Sequence, residues 1–127
     1  MSVNLAGDIN NDNITDIIIG DSTANSATGQ SYVIFGSRTK FPSSFDLASL
    51  NGKNGFAING IYSGDYSGAS VRAAGDVNND GIDDIIIGAY QANIMAGQSY
   101  IIYGQADHSF MKNELPHELM GDSVETA

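Results

Sequence analysis

Residues 75–90, GDVNNDGIDDIIIGAY, decide the fold of this chain, because they join a dense group of acids to a run of three Ile. Four of these sixteen residues are Asp. Like charges repel one another, so a short turn that gathers so many carboxylates needs a counter-charge nearby. Nearly the same string, GDINNDNITDIIIGDS, stands at residues 7–22. The two strings together indicate a repeated unit.

The repeat extends well beyond the two acidic strings. With an offset of 68 residues, residues 2–36 align with residues 70–104 without a gap, and 22 of these 35 positions are identical. GQSYVIFG at 29–36, for example, lies over GQSYIIYG at 97–104. Self-similarity at a fixed period is typical of stacked supersecondary units.

Each copy has the pattern of short strands. β-branched and aromatic runs that end at Gly are typical of strands. No stretch in residues 1–105 shows apolar residues at helical spacing, although LASL at 47–50 can form one helical turn. We expect strands at 2–7, 16–20, 29–36 and 55–61 of the first copy and at 69–75, 84–88 and 97–104 of the second.

The sequence predicts an all-β fold made of β-propeller-type blades, each with four antiparallel strands. Blade one spans residues 1–60 and blade two spans residues 61–127, with a divergent tail from about residue 105. That tail is either a weak fourth strand or a frayed end. Two blades cannot close a ring. We therefore expect part of a longer propeller, a homo-oligomer of copies that closes a ring, or a small sandwich.

Charge and composition exclude several classes of function. The chain carries 15 acidic and 5 basic residues, a net charge of −10, which argues against nucleic acid and anionic membranes as partners and favours cations. It has no Cys, so disulfides, thiolate metal sites and a Cys nucleophile are excluded. The first residues lack the basic and apolar segments of a secretory signal, and no run approaches the roughly 18 apolar residues of a membrane span.

The acidic strings have the oxygen spacing of a cation-binding loop. Acceptors stand at alternate positions, and Ca²⁺ takes six to eight oxygens at about 2.3–2.6 Å. Position six, where the loop turns sharply, holds Gly81 or Asn13, the residue types that best accept a positive φ. The predicted metal ligands are Asp8, Asn10, Asp12, the Ile14 carbonyl and Asp16 in the first loop, and Asp76, Asn78, Asp80, the Ile82 carbonyl and Asp84 in the second.

Other interpretations of these loops are weaker. An EF-hand needs a bidentate Glu at position 12 between two helices, whereas Ile19 and Ile87 stand there between strands. A plain turn explains one Asp/Asn/Gly cluster but not two with every acceptor kept. Several carboxylates with a backbone carbonyl suit Ca²⁺ better than Mg²⁺. The shell can be completed by water or by Asp83.

The sequence contains no pattern that predicts catalysis. It has no Gly-x-Ser-x-Gly elbow, no phosphate loop and no supported Ser-His-Asp order. The paired carboxylates are assigned to the metal, although an Asp of a loop acting on glycans is an alternative. We therefore expect a protein that is not an enzyme.

Residues 66–104 resemble an FG-GAP repeat, the β-propeller blade of integrin alpha-subunit heads and of many large bacterial surface or secreted proteins. The Ca²⁺ loop of that family, Asp-x-Asn-x-Asp-Gly-x-x-Asp, is complete at 76–84 and holds Asn13 in place of Gly at 8–16. Ser67–Gly68 stands at the family's first signature. Gly88–Ala89–Tyr90 stands at its Gly-Ala-Pro signature, from which the first copy departs with Gly20–Asp21–Ser22.

The resemblance implies a calcium-binding propeller module with two Ca²⁺ ions, one per repeat, on the outside of a cell or on its surface. Its expected role is structural and adhesive, with a rigid surface for a protein or glycan ligand and no membrane insertion. The alternatives are an accessory part of a calcium-dependent extracellular hydrolase and a lectin-like glycan binder.

Overall fold

The computed structural model describes residues 1–106, 110, 113–114 and 124–125. The fold is all-β, as the sequence predicts, with two sheets of antiparallel strands that follow one another along the chain. The prediction for the tail at 105–127 lies mostly outside the described residues. No helix in the described part of the chain is long and apolar enough to cross a membrane.

The first sheet, which we call the first unit, is a meander of four antiparallel strands. The predicted strands at its start, centre and end are confirmed, and the register places Ile18 opposite Val33 and Tyr32 opposite Ala57. A two-residue segment of the tail, β8, adds to its edge in parallel. The strands are β1 Ser2–Gly7, β2 Asp16–Asp21, β3 Gln30–Ile34, β4 Gly55–Asn59 and β8 Asn113–Glu114.

The second sheet, the second unit, repeats this arrangement with three long strands. The tail contributes a fourth strand of two residues, β9, which pairs with β7 through Val124 and Glu125. The tail therefore supplies short pairings to both sheets, which the sequence does not reveal. The strands are β5 Ser67–Gly75, β6 Asp84–Ala89, β7 Gln98–Ile102 and β9 Val124–Glu125.

Between the second and third strands of each unit the chain makes a four-residue helical turn, α1 (Ala24–Ala27) or α2 (Ala92–Met95). Both contain consecutive residues in the left-handed region; φ is 54° at Asn25 and 53° at Ile94. Turns this short show no apolar periodicity, so the sequence cannot predict them. The helical turn expected at 47–50 is present as a 3₁₀ turn at Leu47–Ser49.

The two units pack face to face around one core, with β5 against β1 and β2. Alternate residues of each strand point into this core. Phe110 from the tail also enters it and stacks on Phe56, with ring centroids 4.4 Å apart. The core consists of Ala6, Ile9, Ile18, Val33, Phe35, Phe56 and Ile58 of the first unit, Val71, Ile85, Ile87 and Ile102 of the second, and Phe110.

Backbone approaches backbone where the connection at residues 60–67 leaves the first unit. The N–H groups of Gly64 and Tyr66 donate to the Ala27 carbonyl at 3.1 and 2.9 Å. A Cβ at Gly20 would collide with the carbonyl oxygen of Gly68. Only Gly at position 20 lets the second unit come this close.

Replacing Gly20 with Ala should destabilise the protein by about 2–3 kcal/mol, because the added methyl overlaps backbone that cannot move alone. The matched control is Gly88→Ala at the equivalent position. There the Cβ meets only the Ser70 hydroxyl of the same unit, which can rotate away. Chemical denaturation of both variants checks this, and equal losses would contradict the close contact between the units.

Candidate metal centre

The two acidic loops occupy the same place in each unit. The first, residues 8–15, joins β1 to β2, and the second, residues 76–83, joins β5 to β6. Strands therefore flank both loops, as the sequence predicts. This flanking structure is not that of an EF-hand, in which helices border the loop.

Carboxylates at positions one and five fold the first loop around themselves. The Oδ1 and Oδ2 atoms of Asp8 accept hydrogen bonds from the backbone N–H groups of Asp12 and Asn13 at 3.1 and 2.8 Å. Oδ1 of Asp12 accepts from the N–H of Ile14 at 3.0 Å. These bonds curl the chain so that the acidic side chains lie on the inside of the turn.

The second loop has the same hydrogen bonds. Asp76 accepts from the N–H groups of Asp80 and Gly81 at 3.1 and 2.7 Å, and Asp80 accepts from the N–H of Ile82 at 3.0 Å. At position six, Gly81 has a φ of 85° and Asn13 a φ of 67°, which confirms the prediction of a left-handed residue there.

The side chain at position three points at both carboxylates. The Oδ1 atom of Asn10 faces the Oδ1 atoms of Asp8 and Asp12 at 3.1 and 3.0 Å. Asn78 makes the same approaches to Asp76 and Asp80, again at 3.1 and 3.0 Å. Oxygens meet at this separation around a shared cation, whereas an amide turned by 180° would donate to both carboxylates. The oxygen set fits a hard divalent ion in the first arrangement.

Position nine has a different role. Asp16 is completely buried, and its two carboxylate oxygens accept from the N–H groups of Ile9 and Gly36, both at 2.8 Å. Asp84 does the same with the N–H groups of Val77 and Gly104, at 2.8 and 2.9 Å. This carboxylate ties the start of the loop to the residue that follows the third strand. The sequence assigns it to the metal and gives no sign of the second role.

Burial and charge act in opposite directions on these carboxylates. Burial raises the pKa of Asp16 to about 6, and the nearby charges of Asp12 and Asp8 raise it further against two lowering hydrogen bonds. Burial likewise raises the pKa of Asp84. In Asp76 slight desolvation is outweighed by the N–H groups of Gly81 and Asp80, so its pKa lies below the ordinary value. The mouth of the loop thus stays ionised while its base favours a proton.

Each loop brings together the side chains at positions one, three and five. In the described part of the chain no three His, Cys, Asp or Glu side chains gather as a metal-binding group. The third converging side chain of each loop is Asn, and the third carboxylate is turned to the backbone. The ligand roles of the Ile14 and Ile82 carbonyls stay predictions.

Asp83 joins the two units, a contact that sequence reasoning misses. Its Oδ2 atom accepts from the N–H of Asp8, in the other loop, at 2.8 Å. Close by, the N–H of Gln105 donates to the carbonyl of Ile9 at 2.9 Å. The only signal in the sequence is that the equivalent position of the first copy holds Thr15.

The FG-GAP repeat family model matches residues 67–102, from the start of β5 to the end of β7. This match confirms the resemblance, and it includes the whole second acidic loop. No curated protein matches the chain. The second unit is thus similar to a β-propeller-type blade in sequence as well as in structure.

The raised pKa of Asp16 predicts an unusual pH dependence for the metal-free protein. A carboxyl whose folded pKa exceeds its unfolded value stabilises the fold most below about pH 4, and that contribution is lost as pH rises through about 6. With a chelator present, the free energy of unfolding should fall by about 1–2 kcal/mol over this range, after allowance for solvent screening.

Urea denaturation at several pH values measures this change. Asp16→Asn, which cannot titrate, is the control and should lose the decline attributable to this residue. Identical pH profiles for the two proteins would contradict the assignment.

Asp83→Ala should destabilise the protein by about 1–3 kcal/mol, because it leaves the N–H of Asp8 without its charged acceptor. Thr15→Ala, at the equivalent exposed position of the first unit, should change stability by less than about 0.5 kcal/mol. Thermal denaturation in a chelator compares the two. A loss of similar size in both variants would mean that Asp83 does not join the units.

Proposed function

We propose that each acidic loop binds one Ca²⁺ ion and that the two units form a calcium-braced, non-catalytic scaffold. One observation carries this proposal. In both loops an Asn oxygen and two Asp oxygens converge at 3.0–3.1 Å, with the same geometry in two stretches that lie 68 residues apart. Oxygens of like partial charge are held together in this way when a cation lies among them.

The side chains that would hold the ion are Asp8, Asn10 and Asp12 in the first loop, with Asp76, Asn78 and Asp80 in the second. When bound, the ion supplies the positive charge that offsets the repulsion between the carboxylates. The chain contributes a loop already shaped by its own N–H groups and anchored to the sheet by Asp16. Such preorganisation reduces the entropy lost on binding.

Calcium would act through stability. An ion that binds only the folded chain stabilises it by about 2.7 kcal/mol when its concentration is a hundredfold above Kd. The loop connects two core strands, so the ion fixes the ends of the strands that pack the units together. A rise in melting temperature with little change in exposed apolar surface distinguishes this brace from a calcium sensor.

The surface beside the first loop supports an adhesive role. A groove of about 350 Å³ is lined by Asp12 and Asn10, by the aromatic rings of Phe41 and Phe45, and by the ammonium groups of Lys40 and Lys53. Its two Lys are among only five basic residues in a chain of net charge −10. Rings and cations next to a metal loop suit an acidic protein segment or an acidic glycan. Such ligands and free Ca²⁺ are available outside cells, where we place the protein.

A calcium titration tests the metal sites. Calorimetry of the chelator-treated protein should show uptake of two Ca²⁺ ions per chain and a higher melting temperature. Asp80→Ala should remove one ion and about half of the calcium-dependent rise in melting temperature, if the two loops contribute equally. Asp12→Ala should remove the other ion.

The control is Asp46→Ala, which changes a carboxylate that caps the 3₁₀ turn at Leu47–Ser49 and lies outside both loops. It should bind two ions. The absence of calcium uptake by the unchanged protein would overturn the proposal, and uptake unaffected by Asp80→Ala would exclude the second loop.

A further inference from the structure

Equivalent residues of the two units differ in exposure in a regular way. The first unit's inner face, which contacts the second unit, is covered: Ile9 is 0 % exposed, and Ile18, Ser31 and Val33 are also completely buried. Their counterparts on the second unit lie on its outer face. Val77, which corresponds to Ile9, is 49 % exposed. Ile86, Ser99 and Ile101, the counterparts of the other three, are half-buried.

The opposite faces show the reverse. Val71 of the second unit contacts the first unit and is 5 % exposed, whereas its counterpart Val3 is 67 % exposed. Ile85 and Ile87 are completely buried, and their counterparts Ile17 and Ile19 are only half-buried. The first unit thus presents outward the same residue types that the second unit uses to pack.

The linker aromatics follow the same rule. In the second unit, Phe110 lies between the sheets, with its ring centroid 5.6 Å from that of Phe35. In the first unit, Phe41 and Phe45 line an apolar groove with Ile17 and Ile34 on the outer face, and Phe41 is 40 % exposed. A packed ring in one unit therefore corresponds to partly exposed rings in the other.

We infer that the outer face of the second unit binds the outer face of the first unit of a second copy of this chain, in the same geometry that joins the two units within one chain. The faces match position by position. Ser, Ile, Gly and Ser of the covered face, at 2, 18, 20 and 31, recur as Ser, Ile, Gly and Ser at 70, 86, 88 and 99 of the exposed face.

Two polar contacts at the acidic loops are also reproduced. Within the chain, the N–H of Gln105 donates to the Ile9 carbonyl; between copies, the N–H of Ser37 meets the Val77 carbonyl. Within the chain, Asp83 accepts from the N–H of Asp8. Between copies, the hydroxyl of Thr15 takes that place and accepts from the N–H of Asp76.

The contact involves two different surfaces, so it is head-to-tail and each copy can bind a further one. Such contacts close into a ring if the rotation between copies divides a full turn, and otherwise give a filament. Residues 60–68 have no counterpart in the first unit. A docked copy therefore covers the strand faces and the loop ends but leaves the turn at Ala92–Met95 exposed.

Light scattering over a range of protein concentrations, with Ca²⁺ present, is the first test. The protein should form a species larger than one chain, and Val3→Asp should lower its mass to that of one chain at the same concentration. Val3 is exposed in the single chain, so this variant should keep its circular dichroism spectrum. Ile94→Asp is the control, because Ile94 is 99 % exposed but lies on the uncovered turn; it should leave the mass unchanged.

Disulfide cross-linking tests the geometry. The chain has no Cys, so Ser37→Cys with Val77→Cys places the only two thiols at positions that meet between copies but not within one. Oxidation should give a ladder of dimers and higher species, whereas either single variant should stop at dimers. A protein that stays one chain at all concentrations, or a double variant that gives no species beyond dimers, would overturn the inference.

Discussion

The buried carboxylate at position nine of each loop holds the rest of the structure in place. Asp16 joins the N–H of Ile9, at the start of the loop, to the N–H of Gly36, just after β3. One side chain thereby fixes the loop relative to two strands of the sheet, and Asp84 repeats the arrangement in the second unit. Because two N–H groups would be left without an acceptor if it were removed, this carboxylate is a structural requirement before any ion is considered.

The acidic loop is consequently under two opposing demands. Its base must stay buried, which favours a neutral Asp16 and raises the pKa of that residue to about 6. Its mouth gathers ionised carboxylates, whose charges raise the pKa of Asp16 further. A cation at the mouth would relieve both demands at once, since it offsets the charges of Asp8 and Asp12 and favours the ionised form of Asp16. Metal binding and folding are then coupled through one hydrogen-bonded carboxylate.

The sequence predicts what is local and repeated, and it fails where distant segments meet. The strands, the loop positions and the left-handed residue at Asn13 or Gly81 follow from residue type and a 68-residue period. The contact of Asp83 with the other loop depends on how the sheets pack, and the pairings of the tail depend on edges that only the fold creates. The left-handed turns at α1 and α2 are also missed, because their cause is the connection packed on them rather than the preference of Ser26 or Ile94.

The exposure of the outer faces follows from the repeat itself. Every unit of a stacked array has one face for the unit before it and one for the unit after it, so two units satisfy one interface and leave two faces uncovered. These faces differ: one presents Gly88 and Ser99 on a flat strand surface, and the other presents Val3 and Leu5 as projecting side chains. A flat face fits a projecting one better than it fits itself. Pairing in a two-fold dimer would bring like faces together, which makes the head-to-tail arrangement the one that reproduces an interface already formed within the chain.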